Sequence, residues 1–364
     1  MHGAAPALHT ALHCDWSARY ACRPIRITTR ESAHVRALIR TEYGPPSVLH
    51  PATLPTPSPG PGELLVRVRA TSVNYGDLTA RNFPAIGPDR FNMPAPLFYG
   101  ARLAFGWSRP RNPILGSEYA GTVESVGASV THFSPGDRVV GYRAQRMGAY
   151  AGYLVEKADG MIATLADHVE FEDAAVLPYG GTTALALLES ANLQHGDRIL
   201  VIGASGSIGM AAVQIARVRG AHVTGVAGPR NQQLVLDLGA HAVLDHARDD
   251  LTAAVAPYDL IFDVRGRLGF DRARRALAPS GTYFPVSFKW PALRDALRTR
   301  GSTGQRVRVA LAPERREILE QVVAMIGAGE LRAAHDRTFA LDDGAAAHQY
   351  AEEGHKSGHI ALRV

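Results

Sequence analysis

The chain has 364 residues, 46% of them hydrophobic and 20% charged, with a formal net charge of +5. That length and composition suit two globular domains with sizeable cores, not a disordered or fibrous chain. No run of about 18 apolar residues occurs, so no membrane span or membrane partner is expected. The arginines are dispersed instead of clustered, which argues against a nucleic-acid surface.

Residues 1–34 lack periodicity and carry four arginines against two acids. They read as a disordered extension or as upstream sequence from a misassigned start. An organelle-targeting peptide is the alternative, disfavoured by the absence of an amphipathic stripe. The first reading goes with a cytoplasmic protein, the second with an organelle matrix. Cys14 and Cys22 are the only cysteines and both fall here, which leaves the globular part no disulfide framework and no cysteine zinc site.

From Val35 to about Lys157 the signals are β. Val35–Arg40, Glu63–Ala70, Tyr119–Val126 and Asp137–Tyr142 read as strands, punctuated by Gly127 and by Ser134-Pro-Gly-Asp137. Between them runs a Pro- and aromatic-rich insertion, Asn82 to Pro113, read as a long loop. Its Phe91, Met93, Leu97, Phe98, Tyr99, Phe105 and Trp107 either line a substrate mouth or form a local hydrophobic cover. Glu172–Ala191 reads as a connecting helix. Later strands are expected at Tyr258–Val264, Gly281–Val286 and His359–Val364. The expected division is an extension at 1–34, a β-rich domain at 35–160 with 330–364, and an α/β domain at 161–329.

The α/β part opens on the most informative stretch. Ile199–Ile202 is an apolar run of the kind that forms a buried strand. Glycines follow at 203, 206 and 209, then Met210, Val213, Ile215 and Val218 among alanines, as in a helix packed on a sheet, then a second strand from Gly220 to Val226. Strand, glycine turn, helix and strand in about thirty residues form the unit that cradles a dinucleotide pyrophosphate. Glycines admit the phosphates close to the backbone, and the N–H groups of Ser205, Gly206, Ser207, Ile208 and Gly209 meet their charge at a helix N-terminus. The register departs from G-x-G-x-x-G, because Ala204 stands at the first glycine. The second strand ends Val226-Ala-Gly-Pro-Arg230 with no carboxylate for a ribose 2′-OH. An acid would repel a 2′-phosphate and Arg230 would chelate it, so NADPH is the expected cofactor.

Taken with that turn, Tyr43-Gly-Pro-Pro-Ser-Val-Leu49, Ala70-Thr-Ser-Val-Asn-Tyr-Gly-Asp77, Leu115-Gly-Ser-Glu-Tyr-Ala-Gly-Thr-Val123, Pro135-Gly-Asp-Arg-Val139 and Gly354-His-Lys-Ser-Gly-His-Ile360 resemble the medium-chain dehydrogenase/reductase superfamily over residues 35–364. Within it the chain is similar to the zinc-independent quinone oxidoreductases and to members labelled NAD(P)-dependent alcohol dehydrogenases. The resemblance implies a GroES-like β-rich catalytic domain wrapped around a Rossmann domain, with the active site in the cleft between them. It implies Asn74 and Tyr75 at the nicotinamide end, and Leu177-Pro-Tyr-Gly-Gly-Thr-Thr-Ala184 beside the nicotinamide, with Thr183 on the carboxamide and Tyr179 as a second candidate phenol. It implies Asp263, Val264, Val286 and Ser287 in the loops under the nicotinamide ribose, and Lys356 near a cofactor phosphate. Where zinc-using relatives have Cys and His, this chain has Asn74 and Ser117. No metal is therefore expected, since Asn, Ser and the remaining Glu118 do not make a soft-metal site. The histidines are scattered and read as mostly surface residues. Arg265 and Arg267 depart from the relatives' pattern, and either recognise an acidic substrate or face solvent.

Without a Lewis acid, reduction of a polarised acceptor is easier than oxidation of a simple alcohol. An enone or quinone accepts hydride at carbon and passes charge to oxygen, which asks of the protein alignment and an oxyanion donor. Tyr75 either supplies that donor or packs as an aromatic, and Asp77 reads as a structural acceptor. The leading expectation is an NADPH-dependent reductase of a small quinone or α,β-unsaturated carbonyl. The alternatives are a trans-acting enoyl reductase of a biosynthetic pathway, whose Pro-rich insertion docks a carrier-bound chain, and an NADPH-binding protein with little turnover. Whether the chain forms a homodimer is left open.

Overall fold

The computed structural model describes residues 12–14, 22–24, 34–253, 256–354 and 356–364. Most of the proposed 1–34 extension lies outside the described residues. Within it Leu12–Cys14 and Cys22–Pro24 pair antiparallel.

Two sheets organise the rest. A mostly antiparallel seven-stranded sheet is built around Glu63–Ser72, a strand with nearly every residue covered. It pairs with Glu118–Val126, Tyr153–Lys157 and the C-terminal His359–Arg363. His335–Ala340 flanks the last of these, and Arg138–Tyr142 and Ile162–Thr164 continue the other side. The chain's end thus returns to the sheet it left near residue 164, as the resemblance implied. His34–Ile39 and His50–Pro55 form a separate antiparallel hairpin.

The second sheet is wholly parallel. Its order is Ala242–Asp245, His222–Ala227, Arg198–Ile202, Tyr258–Asp263, Leu277–Pro285, Arg306–Val307, which is 3-2-1-4-5-6 in chain order, the Rossmann arrangement. Its central strands read as unbroken apolar runs because helices cover both faces. Ser207–Val218 and Pro178–Ala191 pack against each other over the sheet, and Arg316–Gly327 joins them. The main core extends from these helices into Ala70, Ala120, Val140 and Ala361 of the other sheet, so the two layers share one apolar interior.

Two sequence expectations need correction. The single helix at Glu172–Ala191 is two, Phe171–Ala175 and Pro178–Ala191. Pro178 crowds the residue before it and has no N–H to continue the first helix, so it starts the second instead. The 82–113 insertion is not a bare loop. It holds a 3-10 turn at Phe83–Ala85 and helices Gly87–Arg90 and Ala95–Phe105. Phe83 packs against Phe98 and Phe105 at 5.1 Å between ring centroids and against Phe91 at 5.8 Å. These phenylalanines form a local hydrophobic cover, while Leu97, Tyr99 and Trp107 are exposed. Asn92 carbonyl accepts from the Phe288 N–H at 3.0 Å and Asp89 carbonyl accepts from Lys289, which fastens the insertion to the parallel-sheet layer. Among the described residues no helix is long and apolar enough to cross a membrane.

Candidate active site

The glycine turn is built as the sequence implied. Gly206 caps the helix Ser207–Val218 without a side-chain bond, and the first helical bond runs from Met210 N–H to Gly206 carbonyl at 2.8 Å. Among the described residues the N–H groups of Ser207, Ile208 and Gly209 therefore have no acceptor. The turn folds so tightly that a Cβ on Gly209 would lie 2.1 Å from the Gly203 carbonyl oxygen. Ser205, Ser207 and Ile208 are partly exposed at its rim. Unfilled donors at a positive helix end, with no acid in the first turn, fit a dinucleotide pyrophosphate.

At the end of the neighbouring strand His222–Ala227 no carboxylate is present, and Arg230 stands exposed on the 3-10 turn Pro229–Asn231. Its charge acts on the phenol of Tyr350, whose ring Arg337 overlies at 4.3 Å. Tyr350 donates to Asp336 at 2.9 Å. Lys356 was expected near a cofactor phosphate. Its ammonium lies within electrostatic reach of Asp336 and Glu118, and burial lowers its pKa against the pull of those two carboxylates.

The loops expected under the nicotinamide ribose meet at the ends of strands Tyr258–Asp263 and Leu277–Pro285. Val286 N–H donates to Asp263 carbonyl at 2.9 Å and Ser287 Oγ donates to Val264 carbonyl at 2.9 Å. Asp263 is not a ligand-facing acid. Its carboxylate turns inward and accepts from the N–H groups of Arg265, Gly266 and Leu268 and from the Tyr283 hydroxyl, all at 2.9–3.1 Å. It shapes the loop and has nothing left to offer a ribose. Thr183 is half-buried on the first turns of helix Pro178–Ala191.

Beside this cradle lies a buried polar cluster. Asn74 caps the helix Tyr75–Arg81, and its Oδ1 accepts from the N–H groups of Gly76 at 2.8 Å and Asp77 at 3.3 Å. Those two donors fix the amide orientation, so Nδ2 must point the other way. It donates to Ser117 Oγ at 2.8 Å and to Glu118 Oε1 at 2.9 Å. Ser72 Oγ also donates to Glu118 Oε1, and Tyr179 N–H donates to Oε2 at 2.7 Å. Glu118 is thus a fully buried carboxylate held by donors from three elements, and burial raises its pKa against them. Asp77 closes the capping box by accepting from Asn74 N–H at 3.2 Å. Its Oδ1 is buried without a partner, and burial pushes its pKa up to about 8.

The first turn of helix Pro178–Ala191 joins the two halves of the site. Tyr179 N–H holds Glu118, and the next residue, Gly180, abuts the start of the cofactor helix so closely that a Cβ there would sit 2.5 Å from Ser207 carbonyl oxygen. Tyr75, at the first position of its helix, is 53% exposed. The Tyr179 phenol lies within electrostatic reach of Glu118, Tyr75 and Asp77, and burial raises its pKa first, those groups second. Tyr142, which sequence reasoning missed, stands 6.4 Å from the Tyr179 ring with its own pKa raised well above the usual phenol value by burial. Among the described residues neither the Tyr142 nor the Tyr179 hydroxyl makes a hydrogen bond.

Under the cluster runs a second network. Arg81 Nη1 lies 3.0 Å from His348 Nδ1, and Tyr150 hydroxyl lies 2.9 Å from His348 Nε2 and 3.0 Å from Ser72 carbonyl oxygen. Arginine only donates, so Nδ1 accepts, Nε2 carries the proton and donates to Tyr150, and Tyr150 donates to Ser72. Burial and two arginines hold His348 neutral, far below its usual pKa. His359 is also buried, its pKa pushed down to about 3 by burial and then by Lys356. The expectation that the histidines lie on the surface fails at these two positions.

Comparison with known proteins gives a consistent picture. Residues 60–180 match the family model described as an alcohol dehydrogenase GroES-like domain, and residues 238–362 match that of a zinc-binding dehydrogenase. A quinone oxidoreductase from Sus scrofa is 31% identical over 325 residues, covering 85% of this chain and 91% of that protein. A trans-enoyl reductase from Aspergillus flavipes is 31% identical over 238 residues, and this match covers 61% of the present chain and 62% of that protein's length. The solved quinone oxidoreductase of Coxiella burnetii superposes with a TM-score of 0.76 at 27% identity, covering 91% of this chain and all of that one.

Proposed function

Because the chain belongs to the medium-chain dehydrogenase/reductase superfamily of nicotinamide-dependent oxidoreductases, we propose that it is an NADPH-dependent reductase of a small quinone or α,β-unsaturated carbonyl that works without zinc. The observation that carries this reading is the first turn of helix Pro178–Ala191, which touches the glycine cradle through Gly180 and the Glu118 cluster through Tyr179.

Zinc does not fit the residues present. A metal needs lone pairs, and at the relevant corner Asn74 presents its N–H2 while Ser117 accepts from it. Both oxygens of Glu118 are already engaged by donors. Among the described residues no group of three His, Cys, Asp or Glu side chains is placed to hold a metal ion.

When bound, the nicotinamide supplies the hydride. The N–H groups of Ser207, Ile208 and Gly209 hold the pyrophosphate, and Arg230 favours a 2′-phosphate. Glu118 stiffens the floor by tying Ser72, Asn74 and the Tyr179 backbone together. Besides the exposed Tyr75 hydroxyl, the unpaired phenols of Tyr179 and Tyr142 are donors available to an acceptor oxygen as charge develops on it. With pKa values raised by burial, Tyr179 and Tyr142 stay protonated across the neutral range and give up a hydrogen bond without ionising.

The test is oxidation of NADPH, deuterated at nicotinamide C4, against quinones, enals and acyl thioesters. Deuterium in the enal product supports direct hydride transfer to carbon. Turnover confined to acyl thioesters would replace this reading with the enoyl reductase one. Tight NADPH binding without turnover on any class would refute the reductase reading altogether.

A further inference from the structure

Arg265 is a cation beside the cradle that the chemistry above leaves unused. It follows the strand Tyr258–Asp263, on the loop whose N–H groups the Asp263 carboxylate gathers at 2.9–3.1 Å and whose Val264 carbonyl accepts from Ser287. The loop backbone is therefore fixed from two sides, and the Arg265 side chain leaves it in a defined direction. That direction is over the glycine turn. A Cβ on Gly203 would meet Arg265 Cγ at 3.5 Å and Cδ at 4.0 Å, ordinary van der Waals contact with the side-chain stem. Beyond the stem the residue is exposed, and among the described residues its guanidinium has no hydrogen bond or ion pair. Arg267, also exposed, has no such contact with the turn.

An unpaired guanidinium carried on a stem that rests on Gly203 stands beside the unfilled N–H groups of Ser207, Ile208 and Gly209. Both are donor sets suited to the same anion. We propose that Arg265 closes over the pyrophosphate of the bound dinucleotide from the side opposite the helix N-terminus. Guanidinium is planar and presents paired donors, which matches two neighbouring phosphate oxygens. The contact is with a part common to NADH and NADPH, so Arg265 adds affinity without choosing between them, whereas Arg230 supplies the choice. It also assigns Arg265 away from the acidic-substrate role that its sequence position left open.

The proposal rests on dinucleotide binding at the glycine turn, and the test separates the two. Dissociation constants are measured by fluorescence or calorimetry for NADPH, NADH, ADP-ribose and adenosine 2′,5′-bisphosphate, with wild type and Arg265→Gln. The Gln variant keeps the stem over Gly203 and removes the charge. Loss of one charge-assisted contact should weaken NADPH, NADH and ADP-ribose alike by about tenfold. The bisphosphate lacks a pyrophosphate and should change by less than about twofold. Unchanged ADP-ribose affinity in the variant, with wild type binding normally, overturns the assignment. Loss for NADPH alone overturns it as well, because that pattern belongs to the 2′-phosphate. If wild type binds none of the four ligands, the cofactor site and this inference fall together.

Discussion

Glu118 offers the sharpest perturbation in the molecule, because every partner it has is a donor. Its Oε1 accepts from Ser72 Oγ and Asn74 Nδ2 and its Oε2 from Tyr179 N–H. Glu118→Ala would strand these donors in a site with 1% exposure and leave Lys356 with Asp336 as its remaining carboxylate neighbour. Leaving a buried group unsatisfied costs about 1–3 kcal/mol, and breaking a buried charged contact about 3–5 kcal/mol, so the alanine variant should lose about 3–5 kcal/mol. Glu118→Gln has the right shape but cannot satisfy the same partners. Whichever way the amide turns, its N–H2 meets a donor, either Tyr179 N–H or the Ser72 and Asn74 pair. Its expected cost is about 1–3 kcal/mol, the charge of one unsatisfied donor. At about 2–4 °C of melting temperature per kcal/mol, the alanine variant should melt roughly 10 °C below wild type, and the glutamine variant should lie between them. Circular dichroism melts and urea titrations measure both. If alanine and glutamine both fall within about 0.5 kcal/mol of wild type, the carboxylate is not the hub that its hydrogen bonds make it.

Three further outcomes are expected. Asp77 holds its proton up to about pH 8 when folded, whereas an unfolded aspartate releases it near 4; between those values the folded state binds more protons, so stability should fall as pH rises across that window, by on the order of 1 kcal/mol per unit, and level off above it. Urea titrations from pH 5 to 9 should show a distinctly shallower slope in Asp77→Asn than in wild type, and equal slopes would refute the buried-acid assignment. Tyr179→Phe should lower turnover by about 10²-fold with NADPH affinity unchanged if its hydroxyl is the oxyanion donor, and steady-state kinetics would transfer that role to Tyr142 if Phe is tolerated. Arg230→Ala should raise the NADPH dissociation constant about tenfold and leave NADH nearly unaltered, and parallel losses would remove the 2′-phosphate assignment.

The sequence reveals the parallel sheet most clearly, for a physical reason. Strands buried on both faces, such as Ile199–Ile202, must be apolar without interruption, and a helix on such a sheet needs small and aliphatic residues at fixed spacing. The helices of the insertion leave a fainter trace in the sequence. Pro96 in the first turn of Ala95–Phe105 and Gly106 just after it, with φ of 111°, are start and stop signals hidden in a run of prolines and aromatics. Tyr142 joins Tyr179 through pairing of sheet and helix across 37 positions of chain, which no local pattern reports. Asp263 shows the opposite failure. Its place at a strand end looks like a ligand-binding acid, yet the turn that follows folds back and takes up its oxygens. His348 carried a usable signal, since Gly344, Ala347, His348 and Ala351 form a buried stripe at helical spacing that marks it as an interior residue.

The chain of donors from Arg81 through His348 and Tyr150 to Ser72 has one orientation only. A histidine within two bonds of an active-site serine is ordinarily the first suspect for any inflection in activity between pH 5 and 8. Here that residue is spectroscopically present but chemically mute, because gaining a second ring proton would set two donors, the imidazolium and Arg81, against each other in the interior. An inflection near neutrality therefore does not belong to His348, and the buried acid Asp77, its pKa raised to about 8, is a candidate for it.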